Sequence, residues 1–203
     1  MQTPINSFPT KASNSVRCAR TCFHHRFSDR SVRPIDAYRS ADRAVLCQCW
    51  GAIVSNKVLV VASGGGHWIQ MRRLLPAFDG LEVAFVSVHS AYAEQVSGSR
   101  FYAVRDVTRW DRIGLAILVA QLTLILLRER PQVVVTTGSA PGMISLALAK
   151  CLLRSKTMWI DSIANCEQIS LSGMRAKRFC DVWLTQWPHL QRAHGPEFWG
   201  AVL

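Results

Sequence analysis

Val58-Leu-Val-Val-Ala62, followed at once by Ser63-Gly-Gly-Gly-His67, is the stretch that decides the fold. A short aliphatic run with no polar alternation suits a strand buried on both faces, as in the interior of a parallel sheet. Three glycines then break the run, and the spacing from Trp68 to Leu75 predicts a helix. Strand, tight glycine turn and helix together form the opening half of a β-α-β unit.

The same pattern recurs outward from it. Leu81–Val88, Gln132–Thr137, Thr157–Ile160 and Asp181–Thr185 read as further strands, with a short one at Phe101–Val104. Arg112–Arg130 reads as a long apolar helix stopped by Pro131, and Met143–Leu153 as another helix. Strands alternating with helices predict an α/β, Rossmann-like parallel sheet covered on both faces.

In such sheets ligands sit outside the carboxyl ends of the strands. Three loops there carry useful chemistry: Ser63–His67, Thr137–Gly142 and Asp161–Ser162. Ser63, Gly64, Gly65 and Gly66 let the backbone approach a ligand closely, and the helix behind them offers free N–H groups to a phosphate or diphosphate. The loop is neither a P-loop nor a dinucleotide fingerprint, and Val88-His89-Ser90 stands where a ribose-binding acid would follow the second strand. A tight turn without a ligand is the competing reading. His67, at the helix start, has the side chain of a general acid or base, or of a phosphate donor. Gly138, Ser139 and Gly142 form a second small-residue turn with the same logic. Asp161 suits either a sugar hydroxyl or a cap on the segment behind it.

The chain has 203 residues, 49% hydrophobic and 18% charged, which excludes a wholly disordered protein and a complete two-domain enzyme. Its net charge of +11 favours polyanionic partners: nucleic acid, anionic lipid or a phosphorylated substrate. No recognition motif or basic-aromatic stripe points to nucleic acid. Residues 1–56 are Arg- and Ser-rich, lack sustained periodicity and read as an extension without a fold of its own, either a transit peptide or the product of an upstream start. Cys18, Cys22, His24, His25, Cys47 and Cys49 lie there in spacings that match no common zinc finger. Seven cysteines, an odd number with no secretory signal, predict a reducing compartment rather than a disulfide framework. The longest uncharged apolar run, Ile113–Leu127, has 15 residues, short of the roughly 20 that cross a bilayer. It reads either as a helix buried against the sheet or as an in-plane membrane contact, with Arg109, Trp110 and Arg112 at one end and Arg128 and Arg130 at the other.

Taken in order, Ser63-Gly-Gly-Gly-His67, Thr137-Gly-Ser-Ala-Pro-Gly142, Asp161-Ser162, Ser170-Leu-Ser-Gly173 and Gln186-Trp187-Pro188 resemble a known family. It is that of the membrane-anchoring subunit of the split N-acetylglucosaminyltransferase of N-glycan precursor assembly. The similarity is greatest to its bacterial exopolysaccharide relatives of the PssD type and covers residues 57–203. The resemblance implies the N-terminal, acceptor-binding half of a GT-B glycosyltransferase, whose donor half is a separate chain. It implies a heterodimer with a catalytic donor-binding subunit, which would hold the UDP-sugar, and a polyprenyl-diphosphate-linked sugar as acceptor. Transfer would be inverting, with no cofactor of this chain's own and no metal, at the cytoplasmic face of the membrane. Carried over by position, Ser63–Gly66, Gly138, Ser139, Gly142, Asp161 and Ser162 would bind acceptor, His67 would be the acid or base, and Gln186 and Trp187 would face the partner. The rival reading is a scaffold that anchors the partner and contributes no chemical group. Eukaryotic members of the family usually carry an N-terminal transmembrane helix, and residues 1–56 read as containing no such segment.

Overall fold

The computed structural model describes residues 57–108 and 110–202. The extension at 1–56, with its cysteine-histidine group, and Arg109 lie outside the described residues. Seven strands make one sheet: β1 (Lys57–Val61), β2 (Glu82–Ser87), β3 (Arg100–Ala103), β4 (Val133–Thr136), β5 (Lys156–Ile160), β6 (Val182–Thr185) and β7 (Glu197–Phe198). Their order is β3-β2-β1-β4-β5-β6-β7, and every neighbouring pair is parallel. Among the described residues the α-helices are α1 (Gly66–Arg73), α2 (Arg112–Glu129), α3 (Ser139–Leu148) and α4 (Leu171–Ala176).

Burial explains why β1 shows no polar alternation. Leu59 and Val61 join one apolar cluster with Leu118, Leu122 and Leu126 of α2, Leu146 of α3 and Ala176 of α4. Val58 and Val60 enter the opposite cluster with Trp68 and Met71 of α1, and with Phe78. Each such side chain contributes on the order of 1.5–3 kcal/mol by leaving water, so burial on both faces anchors the strand firmly in the sheet. The register Val58↔Val83 and Val58↔Val133 places β1 between β2 and β4.

Local chemistry fixes the helix ends. The Asp111 side chain accepts a hydrogen bond from the Gly114 N–H at 2.7 Å and so caps α2. Arg130 closes α2 in the left-handed region at φ 46°, and Pro131 prevents its continuation. Ser170 caps α4 by accepting from the Gly173 N–H at 2.9 Å.

The expected strands are all present, with ends shifted by one or two residues. Helix α3 begins at Ser139 rather than Met143. Pro141 is tolerated because the N–H groups of a first helical turn have no partner within the helix. The two-residue β7 and the short α4 were not among the expected elements.

Candidate functional site

The strand order reverses between β1 and β4, and the loops that leave these two strands meet there. The contact is reciprocal. The His67 ring Nδ1 lies 2.8 Å from the Thr137 carbonyl oxygen, and the Thr137 hydroxyl donates to the His67 carbonyl at 2.8 Å. A carbonyl only accepts, so Nδ1 carries the proton and Nε2 holds the lone pair in the neutral ring. Gly138 permits this arrangement. Its φ is 126°, and a Cβ there would lie 2.5 Å from the His67 ring. Two glycine turns distant in sequence are thus one structure, with the N-termini of α1 and α3 beside it.

Ser139 follows Gly138 with a positive φ of 78°, unusual for a residue with a side chain. Its Oγ is shielded from solvent and has no hydrogen-bond partner. Ser139 lines a cleft of about 380 Å³, together with Ser63, Gly64, His89 and Asp106. Gly65 and Gly66 are exposed at the start of α1. Gly142 lies inside α3 and is buried: a Cβ there would lie 2.0 Å from the Thr136 hydroxyl, so its smallness serves helix–strand packing rather than ligand contact.

Asp161 behaves differently. It is only 2% exposed, and its carboxylate accepts from the Ser170 N–H (2.9 Å), the Ser170 hydroxyl (2.7 Å), the Asn165 amide (3.2 Å) and the Trp159 indole (3.4 Å). Its carbonyl accepts from the Gln70 and Gln186 side-chain amides. The capping alternative describes this environment: Asp161 ties α1, the 161–170 loop and α4 together. Ser162 is also buried, and its hydroxyl accepts from the Ala164 N–H. The amide of Gln186 is occupied on both sides, by the Asp161 carbonyl and the Val202 N–H, and the residue is buried. Trp187 is half-buried and donates its indole N–H to the Ile163 carbonyl. Of the two expected interface residues, only Trp187 offers surface.

Among the described cysteines, Cys180 is pushed up to about 12 by burial, with the Asp181 charge adding to the effect, which makes it a poor nucleophile. No group of three or more His, Cys, Asp or Glu side chains that could hold a metal occurs among the described residues.

Two site residues had escaped the sequence. His89 follows β2 and Asp106 follows β3, each alone in a loop with no motif around it. The available signal was positional, because both loops leave carboxyl ends of strands that flank the reversal point.

Residues 112–202 match the family model described as "Oligosaccharide biosynthesis protein Alg14 like". Two curated fungal proteins, each called UDP-N-acetylglucosamine transferase subunit ALG14, align over most of the chain. The one from Eremothecium gossypii is 28% identical over 72% of this chain and 80% of its own length. The one from Yarrowia lipolytica is 25% identical over 66% and 74%. The family match and the two fungal relatives agree in pointing to Alg14-like proteins as what this chain resembles.

Among solved structures, Acinetobacter baumannii MurG superposes with a TM-score of 0.57 at 11% identity, covering 71% of this chain and 44% of that one. UDP-N-acetylglucosamine 2-epimerase from Rickettsia bellii gives 0.51 at 15% identity, covering 66% and 40%. The chain spans less than half the length of either structure. The likeness establishes a Rossmann-like α/β fold equivalent to one half of a GT-B protein.

Proposed function

We propose that this protein is the acceptor-binding subunit of a two-chain glycosyltransferase that moves a sugar from a UDP-sugar to a polyprenyl-diphosphate-linked acceptor. The names of the fungal relatives support a UDP-N-acetylglucosamine donor and a complex of more than one chain. The donor would sit mainly in a separate subunit, with Trp187 near the join.

The observation that carries the reading is the clamp between His67 and Thr137. It orients the ring and leaves Nε2 with its lone pair at the reversal point of the sheet. In the reaction an acceptor hydroxyl attacks the anomeric carbon of the donor sugar. The new C–O bond forms as the bond to UDP breaks, UDP leaves as the anion, and Nε2 of His67 takes the hydroxyl proton. The exposed turn at Gly65–Gly66 and the α1 N-terminus suit the acceptor's diphosphate.

Helix α2 supports a membrane setting. Its inner face is in the core, while Ile113 (77% exposed), Leu124 (68%) and Leu127 (49%) project outward. Trp110, Arg112 and Arg128 flank them, a combination that suits the headgroup layer. No helix among the described residues is long and apolar enough to cross a bilayer. We place the protein at the cytoplasmic face, in lipid-linked oligosaccharide or exopolysaccharide and capsule assembly.

The test is reconstitution with the donor-binding subunit, UDP-N-acetylglucosamine and a polyprenyl-diphosphate-linked sugar. His67→Ala should leave the complex assembled and lower turnover by about 10²–10⁴-fold. Undiminished turnover would reduce this chain to a scaffold.

A further inference from the structure

The cleft beside the glycine turns has a chemically distinct wall, set by residues that the transfer step above does not use. Three elements build it. His89 comes from the loop after β2, Asp106 and Val107 from the segment after β3, and Ser139 and Pro141 from the start of α3. The volume of about 380 Å³ lies within the usual range for small-ligand pockets.

Position in this wall is enforced by packing. The His89 ring meets Tyr92 edge-on at 5.3 Å, and Tyr92 accepts a hydrogen bond from the Gly65 N–H and stacks on Trp68 at 4.6 Å. Gly64 admits the His89 ring: a Cβ at Gly64 would lie 2.6 Å from it. The histidine is therefore set across the glycine turn by a stack of aromatic side chains.

The polar groups of this wall are wrong for phosphate. A carboxylate at Asp106 repels anions, whereas it accepts hydrogen bonds from hydroxyls. Ser139 Oγ is shielded and without a partner, an omission that calls for an explanation because buried polar atoms are normally paired. A histidine ring supplies one donor and one acceptor when neutral. Val107 and Pro141 add apolar surface suited to the C–H face of a pyranose ring.

We propose that His89, Asp106 and Ser139 form a hydroxyl-recognition subsite that holds the sugar of the acceptor, while its diphosphate lies at the glycine turn. The inference rests on the acceptor-binding reading above. It assigns discrimination to residues other than His67: Asp106 and Ser139 select for a sugar next to the diphosphate, and His89 closes the subsite against the Gly64 turn.

Calorimetric titration of the full chain tests it with two probes. One is N-acetylglucosaminyl farnesyl diphosphate. The other is the methyl diester of farnesyl diphosphate, which keeps the diphosphate charge and lacks the sugar. The wild type should bind the sugar probe about tenfold more tightly, because unsatisfied hydroxyl partners penalise a ligand that lacks them. Asp106→Asn and Ser139→Ala, each checked for an unchanged melting temperature, should erase most of that preference and leave the sugar-free probe unaffected. His89→Gln, which keeps a hydrogen-bonding side chain, should weaken it in part. Equal wild-type affinity for both probes overturns the subsite and leaves the acceptor reading in place. Binding of neither probe overturns both. Variants that weaken both probes equally, or binding that collapses in EDTA, overturn the subsite, the latter in favour of a cation bridging Asp106 and the diphosphate.

Discussion

Two loop regions at the same edge of the sheet use their polar atoms in opposite ways. Around Asp161 every strong acceptor is engaged from within: the carboxylate receives four donors, its carbonyl two more, and the 161–170 loop is pinned to α1 and α4. At the β1/β4 reversal, atoms are held in place yet left open. The His67 ring is fixed through Nδ1 with Nε2 unoccupied, and Ser139 Oγ has no partner. The contrast separates a region whose polar groups are used up within the fold from one whose polar groups stay open. An acidic residue after a strand and a histidine after a strand look equally functional in sequence. Their surroundings give them different work.

The comparison can be broken most directly at Asp161. Asp161→Ala leaves several buried donors without an acceptor, and the fold should lose about 3 kcal/mol or more in chemical denaturation. A loss below about 1 kcal/mol would mean the region is not a structural knot. The next effect is at Thr137. Thr137→Val keeps the shape but removes the bond to the His67 carbonyl, and turnover of the reconstituted complex should fall about tenfold with a stability cost near 1 kcal/mol. Turnover equal to wild type would show that this half of the clamp does not position the ring.

Ser139→Gly sharpens the contrast from the other side. Relief of the positive φ should raise stability by up to about 1 kcal/mol, after allowance for the greater backbone entropy of glycine. A destabilised variant would mean that the hydroxyl is engaged after all.

Away from both loops, Asp181 provides the smallest effect. Burial pushes its carboxyl up, but hydrogen bonds from Lys150 and Thr157 outweigh that and hold it below the usual carboxylate range. Its contribution is therefore present above the unfolded carboxylate pKa of about 3.9 and is lost as pH falls through the lower folded value. Asp181→Asn should cost well under 1 kcal/mol at neutral pH, and the gap to wild type should close in acid, because the pair is largely solvent-exposed. A gap that persists at pH 2 would contradict a role for the charge.

How much was legible in the sequence follows from what kind of signal each feature leaves. Strands β1 and β4 sit at the centre of a parallel sheet, so they appear as Val58-Leu-Val-Val and Val133-Val-Val, runs that few other structures require. Strand β7 has two residues, Glu197 and Phe198, too few to show any period. The glycine turns were visible because small residues crowd the ends of two strands, although Gly64 and Gly138 make room for the rings of His89 and His67, which are distant in sequence. His89 and Asp106 were not, because they come together only through strand order, which one sequence does not spell out. For Asp161 the sequence offered a sugar contact and a cap without choosing between them, and for Gln186 it gave no sign of burial, because burial depends on which loop folds over them.

Helix α2 raises a question of orientation. Because it is apolar all round, hydrophobicity alone gives no preference for the side that faces the sheet. Its angular setting is chosen by exceptions to the pattern. Near its start Gly114 lies buried against Asp111, and in its middle Gln121 receives the Arg105 N–H at 3.0 Å. At its end Glu129 is held by Arg100 and the Tyr102 hydroxyl. A few polar marks therefore act as a key, selecting one docked rotation among several of similar oiliness, and leave the remaining apolar side turned toward whatever lies outside.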